Sequence, residues 1–417
     1  MHSEIADAVL TLPRHRVQRG RSRVAATEFD EDVITLGAEA VRTLLDRTAA
    51  EPAALLLATV SAPLTEGGAA QTIAEMAGLG GPDLHVQELG GTTAAGAAGL
   101  VTAGALVAAG VSPVVVVAAD TRRDVDGAPF GDAAVAVLID TEGDVGRIVS
   151  LGSAAETFPD RWRSAGEVAV NSGDDSMLGS GAGPEHQHAL LPDTASTLIT
   201  VNTPVIARAG LLGNAAFLAQ LLLTADTEPA HVVVSAGGVT HALRFEPGPG
   251  LPGAAKAARD ALDGGIDESA PAVGPVSGFD PYHSLPRAWR DRRQDLALTG
   301  ARCSHCEQVF FPRPHACPQD GPDGLEPWPL QHTGTVLTCT RDHLFPLGSP
   351  ITMCVVDVDG GGRFYGQSAG GIGVSIGDRV RLVPRLLHRG GGRPQYFWKV
   401  APIADAAPST KETPACR

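Results

Sequence analysis

Apolar residues along the first 150 positions switch repeatedly between two spacings. Residues 5–17 read as a strand. Asp30 then stands where a helix N-cap would, and Val33, Leu36, Ala40, Val41 and Leu44 recur at the spacing of one buried helix face. The short apolar run 53–60 predicts a buried strand, 67–78 a helix and 84–89 an extended segment. Residues 92–110 are Ala-rich and apolar nearly all round, which predicts a helix enclosed by the core. The β-branched run 111–118 reads as a central strand and 133–139 as another. This alternation predicts a layered α/β domain.

Residues 150–247 partly repeat the theme, with a strand at 196–201, a helix at 212–223, a strand at 231–235, the pair Gly237-Gly238 and a last strand through Phe245. Gly, Ser and Asp crowd 171–188, which predicts a loop. Pro, Gly and Ala dominate 247–281, which reads as a linker with one helix at 254–262. Residues 283–298 form a basic amphipathic segment, with Leu285, Trp289 and Leu296 apolar and Arg287, Arg290, Arg292 and Arg293 solvated. Five short strands then follow between Gly turns, at 334–340, 351–357, 363–367, 379–383 and 396–400, and predict a small barrel. The expected organisation is a domain over 1–247, a linker at 248–282, a basic helix and metal knuckle at 283–332, a barrel at 333–402 and a disordered tail at 403–417.

Composition narrows the function. A chain of 417 residues exceeds one typical core. It has no run of eighteen apolar residues, so no membrane span is expected, and no secretion triplet at its start, so a cytoplasmic location is expected. The net charge of −15 is uneven: 16 basic residues face 35 acidic ones up to residue 282, a net −19, and the remainder carries +4. The acidic part would repel nucleic acid, so no nucleic-acid partner is expected. The barrel's aromatic residues, Phe364, Tyr365, Tyr396, Phe397 and Trp398, fall within predicted strands and are assigned to packing. Arg379, Arg381, Arg385 and Arg389 are expected on a solvated strand edge, the alternative for this basic part being contact with a nucleotide phosphate or an acidic carrier protein.

Metal chemistry is the most local signal. Cys303-Ser304-His305-Cys306 is followed, after a ten-residue spacer, by Cys317-Pro318-Gln319-Asp320. Two close pairs on a short spacer present four ligands from two knuckles, as a zinc ribbon does. Cys303, Cys306 and Cys317 are the expected thiolate ligands and Asp320 the fourth, with His315 and His305 as rivals. Four protein ligands leave no open position for water, so the zinc would be structural. The other cysteines, Cys339, Cys354 and Cys416, show no framework spacing, which fits a reducing compartment.

Gln87-Glu88-Leu89-Gly90-Gly91-Thr92-Thr93-Ala94-Ala95-Gly96, 115–120, Phe130-Gly131-Asp132-Ala133-Ala134 and Leu212-Gly213-Asn214-Ala215-Ala216 come in the order of the landmarks of the thiolase superfamily. Residues 4–247 resemble most its branch of 3-hydroxy-3-methylglutaryl-CoA synthases and 3-oxoacyl carrier-protein synthase III. Residues 283–402 resemble the rubredoxin-like zinc ribbon plus OB-fold (DUF35-type) module. The resemblance implies a thiolase-like layered αβαβα domain, shortened in its second half, fused to the ribbon and the OB-fold barrel.

That family keeps a Cys at the start of the buried helix, where the dipole and backbone N–H groups lower its pKa and form an oxyanion site. The glycine frame places Thr93 there, with Thr92 beside it where the synthases carry an acid. The family's His matches Asn202, and its Asn is retained as Asn214. Thr93 is therefore the candidate nucleophile, the alternative being a helix cap. Asn202 and Asn214 are candidate oxyanion donors, the alternative being core amides that hold loops. Gly237 and Gly238 would line the floor of the site. Arg163, with Asp160 around Trp162, matches a wedge near the acyl-CoA entrance or forms a surface ion pair, and His186 or His188 could supply a missing base.

The resemblance thus implies an acyltransferase, or a C–C bond-forming or cleaving enzyme of biosynthesis, that takes an acyl-CoA or acyl-carrier-protein thioester without a Cys nucleophile. The alternative is a non-catalytic subunit paired with a Cys-bearing homologue. A homodimer or a mixed dimer is expected in either case.

Overall fold

Pro13 lies in the break between the first two strands, where the residue 5–17 pattern alone would have continued one. The computed structural model describes residues 3–19, 22–121, 131–155, 161–162, 171–172, 198–201, 213–224, 228–266, 284–343 and 351–403. Strand β1 spans Ser3–Thr11, and β2 (His15–Arg19) forms a separate hairpin with β3 (Ser22–Ala26). Proline locks φ and removes a donor, which fits a break at this position.

The chain falls into two units, Met1–Thr27 with Asp32–Ala270 and Glu28–Glu31 with Pro271–Arg417. In the first unit, helix α1 (Val33–Thr48) starts at Asp32, whose carboxylate accepts the N–H groups of Ile34 and Thr35 at 3.0 Å. The Thr35 hydroxyl accepts the Asp32 N–H in return at 2.9 Å, closing a capping box. The cap is therefore Asp32 and not Asp30, which is buried among charged partners of the second unit.

The elements β4 (Ala54–Ala58), α2 (Ala69–Met76), β5 (His85–Leu89), α3 (Ala95–Ala108), β6 (Val114–Asp120), β7 (Ala133–Asp140) and β8 (Gly146–Ala155) follow. Next come the short pair β9 (Arg161–Trp162) and β10 (Asn171–Ser172), β11 (Leu198–Val201), α4 (Asn214–Thr224), β12 (Ala230–Ala236), β13 (Val239–Pro247) and α5 (Leu251–Asp263). Nine strands form one sheet in the order β11-β12-β13-β8-β1-β7-β6-β4-β5, with β4 parallel to both β5 and β6. Every residue of β4 and β6 is buried, as their continuous apolar runs require. Leu56 and Val116 face a core shared with α3, α4 and α5, while α1 packs on β1, β6 and β7. The helix expected within the Pro- and Gly-rich stretch is present as α5, and its Leu251, Ala254 and Ala258 belong to this core.

In the second unit, α6 (Leu285–Asp295) precedes a three-stranded ribbon sheet, β15-β14-β16, of Thr299–Cys303 (β14), Val309–Phe310 (β15) and Leu325–Pro329 (β16). The five barrel strands are β17 (Thr333–Asp342), β18 (Ile351–Val358), β19 (Arg363–Gln367), β20 (Arg379–Gly390) and β21 (Arg393–Pro402), in the order β19-β18-β17-β20-β21. Phe364 stacks between Phe311 and Phe397 at 5.9 and 5.6 Å, and the buried Trp398 indole donates to the Leu296 carbonyl at 3.0 Å. Tyr365 departs from the packing expectation and is 62% exposed. Arg379 pairs with Asp359 at the surface, whereas Arg385 is buried and not on a solvated edge. Cys354 is a buried free thiol, but Cys339 is disulfide-bonded, against the reduced state expected for it. No helix among the described residues is long and apolar enough to cross a membrane.

Candidate functional site

The turn before α3 collects the polar groups of the first unit. Thr92 donates its hydroxyl to the Ala236 carbonyl at 2.7 Å and accepts the Ala94 N–H at 3.2 Å. Thr92 thus anchors the turn, while the N-cap position of α3 is Ala94 and the helix has no side-chain cap. Thr93 is half-buried, and its hydroxyl has no hydrogen-bond partner among the described residues. It stands two residues ahead of a fourteen-residue helix. The N–H groups at such a helix start carry partial positive charge.

Gly237 and Gly238 form the two-residue turn between β12 and β13, with φ of 59° and 78°. Left-handed values at both positions make this a glycine turn. A Cβ on Gly237 would lie 3.2 Å from the Thr92 hydroxyl oxygen, so the turn closes directly over Thr92.

Asn214 is fully buried, and its carboxamide is committed at both ends. Oδ1 accepts the Gly96 N–H at 2.8 Å, and Nδ2 donates to Asp120 at 3.0 Å. The Asn214 backbone N–H also donates to Asp120, at 2.8 Å. Asn214 thereby fixes the start of α3 against the start of α4.

Asp120 is the residue the sequence reading overlooked. It is 1% exposed and ends β6, where five donors converge on its two oxygens. Thr59 Oγ1 (3.1 Å), the Val60 N–H (2.8 Å) and Ser61 Oγ (2.9 Å) reach Oδ1, and the two Asn214 donors reach Oδ2. A Cβ on Gly213 would collide with this carboxylate. The signal was available: a lone charge closing an apolar strand, at the carboxyl ends of parallel strands where α/β sites gather. Asp132 does similar work nearby, accepting both the N–H and the hydroxyl of Thr27 at 2.8 Å. Asn202, Arg163, Asp160, His186 and His188 lie outside the described residues.

In the second unit, the ligand atoms of Cys303, Cys306, Cys317 and Asp320 all lie within 4.8 Å of one another. Cys306 and Cys317 sulfurs are 3.6 Å apart, and Asp320 Oδ2 is 3.2 and 3.5 Å from the sulfurs of Cys303 and Cys317. Ligands at about 2.3 and 2.0 Å from a tetrahedral zinc stand about 3.5–3.8 Å apart, so the donor set fits that ion. His305 and His315 are not part of the cluster.

The first unit thus has a layered α/β fold of the thiolase-like kind, and the second a ribbon with a candidate zinc cluster and a small barrel. Residues 290–326 match the family model of the ChsH2 rubredoxin-like zinc ribbon domain. The chain is 29% identical over 126 residues to a DUF35 domain-containing scaffold protein of Methanocaldococcus jannaschii, which covers 28% of this chain and 89% of that protein. Among solved structures it is similar in fold to PksG, a HMG-CoA synthase from Bacillus subtilis, with a TM-score of 0.56, 16% identity and coverage of 64% of this chain and 86% of that one. The HMG synthase of the curacin biosynthetic pathway, in complex with holo donor-ACP, gives a TM-score of 0.56 at 16% identity, covering 70% of this chain and 94% of that one. The 3-oxoacyl-[acyl-carrier-protein] synthase III from Aquifex aeolicus gives 0.51 at 14% identity, covering 58% and 99%.

Proposed function

We propose that this protein acts on an acyl thioester, delivered as acyl-CoA or on an acyl carrier protein, in acyl transfer or in making or breaking a C–C bond. The observation that carries this reading is the construction of the α3 start. Asn214, Asp120, Thr92 and Gly237 tie it down, and Thr93 is half-buried beside the positive end of the helix with a hydroxyl that has no partner among the described residues. Backbone N–H groups at such an end stabilise a developing oxyanion or enolate. A threonine hydroxyl without a neighbouring base is a weak nucleophile. The chemistry it favours is therefore direct transfer of the acyl group from a bound thioester to a second bound nucleophile, with the CoA or carrier thiol leaving and taking the nucleophile's proton, or decarboxylation of a β-carboxy thioester to its enolate with loss of CO2, in either case with no acyl-enzyme.

Cys303, Cys306, Cys317 and Asp320 would hold a structural zinc that ties the two ribbon knuckles together. Strand β5 ends the nine-stranded sheet with exposed residues, which supports pairing with a second copy or a homologous subunit.

A second reading, a non-catalytic subunit beside a Cys-bearing homologue, is favoured by the sealed Asn214 carboxamide and by the likeness of the second unit to a scaffold protein. Incubation of the pure protein with a panel of acyl-CoAs separates the two, read by product formation and intact mass. Turnover without a stable adduct, lowered in Thr93→Ala, supports the enzyme. No turnover alone, with activity appearing only beside a partner chain, supports the subunit.

A further inference from the structure

Four residues of the N-terminal part of the chain, Glu28-Phe29-Asp30-Glu31, belong to the second unit. All three of their carboxylate side chains are buried there, at 3%, 0% and 5% exposure for Glu28, Asp30 and Glu31. The cradle that receives them is built from the barrel. Lys399 on β21 donates to Asp30 Oδ2 at 2.9 Å, and the Gly370 N–H reaches the same oxygen at 3.1 Å. Arg385 on β20 pairs with Glu31 at 2.9 Å, and the Leu386 N–H donates to the Asp30 carbonyl at 2.9 Å. The Lys399 ammonium also lies 5.3 Å from the Phe29 ring centroid. Gly370 has φ of 57°, and a Cβ there would collide with the Glu28 carboxylate, so the space over this glycine is filled by the segment itself.

Lys399 and Arg385 are 1% and 6% exposed. Two buried cations on a barrel face are costly unless paired, and here their partners arrive from a segment remote in sequence. The contact combines side-chain charge, main-chain hydrogen bonds and an aromatic packed on a cation, as a peptide-recognition site does.

We propose that the Gly370–Arg385–Lys399 cradle is a binding site for an acidic peptide, with Glu28–Glu31 as its resident ligand. Its grip keeps residues 28–31 within the second unit independently of the covalent connection through residues 267–283.

The test uses the full chain with a protease-specific sequence inserted between Ile266 and Ser284. After nicking, the two fragments are expected to co-elute in size exclusion. The triple variant Glu28→Gln, Asp30→Asn, Glu31→Gln is expected to lower the affinity between the fragments more than about a hundredfold, the cost of breaking buried ion pairs. A synthetic peptide of residues 26–33, but not its scrambled form, is expected to release the C-terminal fragment from the nicked parent. Separation of the parent fragments on nicking, or co-elution of the nicked triple variant, overturns the proposal. Should the variant fail to fold, the peptide decides: release supports the site, and retention at a thousandfold excess of peptide overturns it.

Discussion

The carboxamide oxygen of Asn214 accepts the Gly96 N–H at 2.8 Å, while the same side chain donates to Asp120. One residue thus joins the starts of two helices to the end of a central strand. Asn214→Ala leaves the Gly96 N–H without its acceptor and removes one of the two donors to Asp120 Oδ2, the Asn214 backbone N–H remaining. We expect a loss of roughly 2–4 kcal/mol in urea unfolding, with Asp120→Ala at least as severe because five donors lose their acceptor.

Gly96 has a second constraint. A Cβ there would lie 2.8 Å from the Asn214 carbonyl oxygen, a backbone atom that cannot swing aside. Gly104, on the same helix, would meet only the Ser3 hydroxyl, at 3.0 Å. Gly96→Ala is expected to destabilise by about 1–3 kcal/mol from overpacking. Gly104→Ala is expected to be neutral or to gain up to ~1 kcal/mol of helix propensity. Thermal unfolding of the two variants side by side checks the contrast.

In the ribbon, Asp320→Ala is expected to lower bound zinc well below one equivalent, measured by elemental analysis. Asp320→Cys should retain it and resist chelators longer, since four thiolates complete the site. His305→Ala and His315→Ala should leave zinc content unchanged, because neither residue is in the cluster.

Burial pushes the Glu31 carboxyl up from its usual 4.5 to about 7, outweighing the Arg385 guanidinium that pulls it down. Glu28 and Asp30 add repulsion, and Lys399 faces Asp30 in the same cluster. The folded state therefore holds a proton that the unfolded state releases at lower pH. Glu31 contributes most below pH 4.5, and its contribution is lost as pH rises through about 7. Urea midpoints of the parent should fall between pH 5 and 9. Glu31→Gln should flatten that slope.

Thr93→Cys places a thiol beside the start of α3, where the helix end favours the thiolate. Intact mass after incubation with acyl-CoA is expected to show a covalent acyl adduct absent from the parent. A thiol that stays unmodified would mean that the turn before α3 does not face the thioester.

The parts legible in the sequence are those whose partners are close in the chain. The candidate metal cluster spans Cys303 to Asp320, so its spacing alone exposes it. The buried runs of β4 and β6 show as continuous apolar stretches. Asp30 and Asp32 look alike at the head of α1, and only a distant lysine distinguishes them. In α5, Leu251, Ala254 and Ala258 keep a buried face, but small residues among Pro and Gly resemble a linker by composition. Asp120 was missed because its donors come from Thr59, Val60, Ser61 and Asn214, up to 94 residues away.

The Asp30–Lys399 pair spans 369 residues. During synthesis the acidic tetrapeptide leaves the ribosome long before β20 and β21 exist to receive it. At roughly 5–20 residues per second, that interval is on the order of twenty to seventy seconds. The early part of the chain must therefore mature with Glu28–Glu31 still hydrated, and the last strands made complete an assembly begun near the first.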